Sequence, residues 1–183
     1  MNTVKVDDKY YVMATSTNWR TEGDHVNVFD ITSAKGSINK VLTAKAKGRI
    51  FERSQTFIKN DHLFMVSNYS IRENGRRGIA RIAVEAVELK KSNSIVTADT
   101  KRTITIGDTN GLSASLQDVR VSDNLLYTFW VPANRVDPFD LFDISNPKVG
   151  LKHLGQLQFP GWISKAFPLT YKNEKYIIGL GTI

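Results

Sequence analysis

Apolar and polar positions along the chain alternate in short runs, rich in β-branched and aromatic residues and bounded by Asp, Asn and Gly. Such runs predict strands and tight turns. One composite pattern recurs: an apolar strand, an Asp/Asn turn, then a strand with a Leu/Tyr-aromatic core. It stands at Val4–Met13, Thr56–Val66, Val119–Phe129 and Leu169–Ile178. Aligning Tyr10, Leu63, Leu126 and Tyr176 gives spacings of 53, 63 and 50 residues. Asp and Asn suit these turns because they tolerate left-handed backbone angles and bond their own turn amides.

A second motif runs in step. Val28-Phe-Asp-Ile-Thr32 matches Leu141-Phe-Asp-Ile-Ser145, and Ala86-Val-Glu-Leu-Lys90 stands midway. In each, the acid precedes a polar turn, where a carboxylate can accept backbone N–H bonds, so Asp30 and Asp143 read as structural rather than catalytic. A further apolar strand follows each copy: Ile38–Leu42, Thr103–Ile106 and Leu154–Phe159. Over Arg81–Lys91 the residues Ile82, Ala86 and Leu89 also satisfy a helical period, but the repeat register requires a strand there.

A period of 50–63 residues with about four strands is the pattern of a β-propeller blade. The expected fold is therefore all-β and propeller-like: about three four-stranded antiparallel blades plus part of a fourth. Residues 1–183 form a single propeller-type domain, with units at about 1–54, 55–117 and 118–168 and a partial unit at 169–183. Closed propellers need roughly four to eight blades, and an open one leaves raw edges and an apolar flank. The expectation is a fragment of a larger propeller, with closure by association as the alternative.

Asp137-Pro-Phe-Asp-Leu-Phe-Asp-Ile-Ser-Asn-Pro147, Leu154-Gly-Gln-Leu-Gln-Phe-Pro-Gly161 and Ile177-Ile-Gly-Leu-Gly181 together resemble a known family. It is that of the bacterial and archaeal secreted proteins with a C-terminal β-propeller domain, distantly related to WD40 repeats. The likeness covers about 118–183; over 1–117 the repeat register alone supports it. The segment Lys165-Ala-Phe-Pro168 departs from the family's histidine-containing one, so no role of that histidine transfers. The resemblance implies a propeller fold and an extracytoplasmic or cell-surface location, and no particular activity.

Composition changes this picture little. The 183 residues are 41% hydrophobic and 23% charged, which excludes wholesale disorder. With no cysteine there is no disulfide framework, thiolate metal site or cysteine nucleophile. No signal-peptide pattern or membrane-span run is present. The net charge of +7 is uneven: +5 over residues 35–53, +3 over 71–91 and −4 over 108–143. Few aromatics interleave with the basic stretches, which argues against sequence-specific nucleic-acid binding. Most of these charges read as solvated faces, the remainder as contacts to an anionic polymer.

Chemistry-bearing motifs are sparse. His25, His62 and His153 lack metal-ligand spacing, and Gly111-Leu-Ser-Ala-Ser115 is not a nucleophile elbow. Asp108-Thr-Asn-Gly111 opens like a calcium loop, but Val119 stands where the final Glu belongs. No catalytic residue, metal site or cofactor is assigned. Three segments occupy equivalent places after the second strand of each unit, Thr17–Gly23, Asn68–Arg77 and Trp130–Asp137. As loops they would gather Trp19, Arg20, Tyr69, Arg72, Arg76, Arg77, Trp130 and Arg135 on one rim. Aromatic and Arg side chains favour binding, while Trp19, Trp130 and Trp162 equally suit packing between units.

The leading functional expectation is a non-enzymatic binding or scaffold module whose rim meets a protein or an anionic glycan. Self-association or remaining blades are further partners. The alternative is a hydrolase- or lactonase-like enzyme with acids and histidines converging in a central channel.

Overall fold

The computed structural model describes residues 2–17, 23–33, 36–73, 76–107, 114–132, 137–159 and 162–182. Fifteen strands form in chain order: β1 (Asn2–Val6), β2 (Lys9–Ser16), β3 (His25–Asp30), β4 (Asn39–Lys45), β5 (Thr56–Lys59), β6 (His62–Glu73), β7 (Arg76–Glu88), β8 (Ile95–Val96), β9 (Thr103–Ile106), β10 (Ala114–Ser122), β11 (Leu125–Pro132), β12 (Asp137–Asp143), β13 (Lys152–Phe159), β14 (Trp162–Tyr171) and β15 (Glu174–Thr182). Among the described residues, single 3-10 turns precede β5 and β9.

The protein is all-β, built from antiparallel four-stranded meanders. The first sheet has the order β1-β2-β3-β4, the second β5-β6-β7-β9, the third β10-β11-β12-β13, and a hairpin β14-β15 follows. The short β8 leaves the second unit to pair in parallel with β4, so the first sheet gains a fifth strand.

Turn chemistry sets the hairpins. Asp7, Asn60, Asp61, Asp123, Lys172 and Asn173 all take φ between 48° and 62°, the left-handed region where Asn and Asp are enriched. The acids of the second motif also act as read. Asp30 Oδ1 accepts the Thr32 N–H at 2.9 Å and Asp143 Oδ1 the Ser145 N–H at 2.8 Å. Those hydrogen bonds hold both carboxyls below the usual range. In the middle copy the longer Glu88 reaches the Lys90 ammonium at 2.9 Å instead.

Strand alternation gives each sheet two faces. Tyr11, Met13, Val26, Val28, Leu42 and Ala44 of the first sheet pack on Leu63, Met65 and Val87 of the second. Phe64, Val66, Ile82, Val84 and Ala86, on the second sheet's other face, pack on Val119, Leu126, Trp130 and Phe142 of the third. Tyr127, Phe129 and Phe139 turn the other way, onto Ala166 of the hairpin. The sheets therefore stack serially, each covering the next. This explains why β7 is a strand despite its partly helical period: it is buried on both faces, so its apolar residues run almost continuously.

Two segments differ from the sequence reading. Asn68–Glu73 and Arg76–Arg77 are not a loop; Tyr69, Ser70 and Ile71 pair with Arg81, Ala80 and Ile79, extending the β6–β7 hairpin. The last hairpin begins at Trp162 rather than near Leu169. Pro168 signals a break in sequence, yet among the described residues β14 pairs with β15 alone, so a missing N–H is tolerated on its other edge.

The crossing from first to second sheet is held by polar groups. The Asp24 carboxylate, 1% exposed, accepts from Arg49 Nη1 and from the Ile50 N–H, each at 2.8 Å. Arg49 and Asn68 exchange backbone hydrogen bonds of 2.6 and 2.9 Å. Gly48 lies so close that an added Cβ would stand 2.0 Å from the Asn68 carbonyl oxygen. Replacing Asp24 with Ala removes the buried acceptor shared by Arg49 Nη1 and the Ile50 N–H, and is expected to cost about 3 kcal/mol. Asp143→Ala, which loses one exposed turn contact, should cost about 1 kcal/mol or less. Urea unfolding of both variants checks the contrast.

Candidate binding surface

The extended β6–β7 hairpin brings four of the eight expected rim residues, Tyr69, Arg72, Arg76 and Arg77, onto one element. The backbones of Arg72, Arg76 and Arg77 lie at its tip, where Glu73 pairs with Arg76. Their side chains lie outside the described residues, as do Trp19, Arg20 and Arg135 entirely. The calcium-like Asp108–Gly111 segment lies outside them too.

Tyr69, at the base of the same tip, is half-buried. Lys47 Nζ sits 4.4 Å from its ring centroid and its hydroxyl is 3.0 Å from Thr105 Oγ1. A cation over an aromatic face is favourable and costs Lys47 little hydration. Trp130 is a different case: it is 4% exposed and belongs to the core between the second and third sheets. Its position opposite Leu116 turns the indole toward the second sheet, so it serves packing and is not displayed on a rim.

Beneath the tip lies a polar layer that the sequence did not signal. Glu85, 4% exposed, accepts the Lys47 N–H at 2.8 Å and is hydrogen-bonded by Ser67. Ser67 Oγ in turn accepts the Gly48 N–H at 3.1 Å. Burial pushes the Glu85 carboxyl above its ordinary value, against the lowering effect of these hydrogen bonds. Arg81, 5% exposed, lies on the same face, its Cδ against Gly107.

A second polar network sits between the second and third sheets. Asp140, 1% exposed, accepts from the Trp130 indole N–H at 2.6 Å, and His153 Nε2 lies 2.7 Å from its other oxygen. Gln156 Nε2 donates to both oxygens at 3.3 Å. The His153 ring also stacks on Phe142, with centroids 5.0 Å apart. An Asp–His pair can orient a general base, but the carboxylate here is shared with an indole and an amide, and no described hydroxyl bonds the imidazole. Among the described residues no three of His, Asp and Glu gather to hold a metal ion. The His153–Asp140 pairing spans 13 residues and becomes visible only once β12 and β13 are in register.

The hairpin β14–β15 leaves a third feature. Between it and the third sheet opens a groove of about 600 Å³, lined by Leu141, Leu154, Leu157, Tyr176 and Ile177 among others. Among the described residues no strand pairs with the second edge of β15.

Compared with protein-family models, curated proteins and solved structures, the chain finds no match in any of the three.

Two outcomes follow. Because the folded state holds the Glu85 proton more tightly than the unfolded chain, ionising Glu85 weakens folding as pH rises past the ordinary Glu value. Glu85→Gln should therefore gain stability relative to wild type between pH 4 and 7, by chemical denaturation, and lose that advantage below pH 4. Asp140→Ala strands the Trp130 N–H and should cost about 2–3 kcal/mol, read from thermal unfolding with Trp fluorescence.

Proposed function

We propose that the chain is a non-enzymatic binding or scaffold module of β-propeller type, from an exported or cell-surface protein, and that the β6–β7 tip meets an anionic glycan. The observation that carries the module reading is the serial stack. Each four-stranded meander covers its neighbour through the same pair of faces, which is how propeller blades bury themselves. The family resemblance over 118–183 supports the propeller architecture and the location.

The tip is the natural contact for a polyanion. Arg72, Arg76 and Arg77 cluster in sequence around one two-stranded end, with Lys47 and Tyr69 at its base. Arginine forks suit sulfate and carboxylate groups. An enzymatic reading draws on the Asp140–His153 pair alone. That pair lies between two sheets with its carboxylate shared among three side chains, an arrangement that favours packing over turnover.

Heparin-affinity chromatography tests the glycan reading. Wild-type protein should be retained, and the Arg72→Ala/Arg76→Ala/Arg77→Ala variant should elute at clearly lower salt. Equal retention of the two proteins would remove the anionic-glycan contact from this tip.

A further inference from the structure

The stack has a direction. In every described interface, the central hairpin positions turned toward the following unit are apolar, with the Asp118–Arg120 ion pair beside them on the third sheet, and the face that receives them is mixed. Tyr11 and Met13, then Phe64 and Val66, then Tyr127 and Phe129 occupy the same hairpin positions in successive units, and all are at most 7% exposed. The receiving faces carry Ser67 and Glu85 in the second sheet, and Thr128 and Asp140 in the third.

In the last hairpin the corresponding positions are Tyr176 and Ile178, and they are 43% and 45% exposed. Their cross-strand partners Leu169 and Phe167 are 46% and 44% exposed. The donor face is thus present, and apart from the Arg120 guanidinium, 5.8 Å from the Phe167 ring centroid, nothing described covers it. At the other end of the stack, the first sheet presents a receiving face with nothing described against it. Tyr10 there is 44% exposed, and Val12, Ala14 and Phe29 are half-buried. Its polar members include Asn27 and Thr43, which bond each other at 2.8 Å, Lys5, whose Nζ lies 5.5 Å from the Tyr10 ring centroid, and the cross-strand pair His25 and Lys45. Like the two receiving faces that are buried, it combines apolar with polar side chains.

We propose that the outer face of β14–β15 docks on the outer face of the first sheet in a second copy of this chain. The two surfaces repeat, between molecules, the pairing already used within one. A contact between unlike faces is head-to-tail, so it closes only if the stack curves. With propeller curvature, two copies close into a ring of six full sheets and two hairpins, within the usual blade range of about four to eight. Closure rests on the propeller reading; the docking itself does not.

Light scattering on the full chain at micromolar concentration tests this. The expected mass is twice that of the monomer. Ile178→Lys on the donor face and Val12→Lys on the receiving face should each weaken association at least tenfold, with far-UV circular dichroism unchanged. Mixing these two variants leaves one intact contact between them and should restore a heterodimer. A monomeric wild-type protein, or an assembly that survives Val12→Lys, would overturn the proposal. Larger assemblies abolished by either variant would uphold the docking and count against propeller closure. Because Ile178 and Val12 lie on the sheet faces at the two ends of the stack, heparin retention and association fail independently.

Discussion

Everything in this molecule follows from sheets that must bury both faces. A four-stranded antiparallel sheet that faced water on one side would alternate apolar and polar residues cleanly. Here the second and third sheets have neighbours on both sides, and the middle of β6, β7 and β11 is apolar on both faces. Burial of that kind is favourable at roughly 25 cal/mol per Å² of apolar surface, but it leaves any polar group on those faces without water. The cost is met by pairing: Asp24 with Arg49 and Ile50, Glu85 with Lys47 and Ser67, Asp140 with Trp130, His153 and Gln156. These carboxylates lie at the seams between sheets or at the crossing from one to the next, where one partner is supplied from a neighbouring strand or segment. They fix register and orientation where apolar packing alone would tolerate slippage.

What the sequence made legible is what depends on near neighbours. The Asp/Asn turns were readable because left-handed backbone angles select those residues locally, and all four repeat hairpins form around them. The acids before the polar turns were readable for the same reason. The alignment was one residue out in the last unit: strand positions place Tyr176 with Tyr11, Phe64 and Tyr127, not with Tyr10. A one-residue shift exchanges the two faces of a strand, and that small error hid which side of the last hairpin is uncovered.

What was not legible depends on distance along the chain. The Asp24–Arg49 pair is separated by 25 residues and the Lys47–Glu85 contact by 38; neither has a spacing signature. Trp130 looked like a displayed aromatic because it follows a strand core and precedes a Pro. Its burial is decided by the second sheet, which packs on it from an element more than 40 residues earlier. The Arg72–Arg77 stretch looked like a loop because Asn74-Gly75 and the charges suggest one. Pairing of Tyr69 through Ile71 with Ile79 through Arg81 makes strands of its flanks and places the backbones of Arg72, Arg76 and Arg77 at the end of a two-stranded arm.

The direction of the stack also bears on where binding surfaces can arise. Face-to-face burial consumes the broad surfaces of every inner sheet, so only strand ends, loops and the two terminal faces are left to meet other molecules. The strand ends carry the basic tip, and charge there can act without disturbing any core. The terminal faces differ in kind. The apolar one, at β14–β15, is costly to leave in water, whereas the mixed one, on the first sheet, already satisfies its own amide and hydroxyl through Asn27 and Thr43. An exposed apolar face therefore drives association and a tolerant mixed face receives it. The same asymmetry that orders the sheets within the chain thus sets the polarity of any contact at its ends.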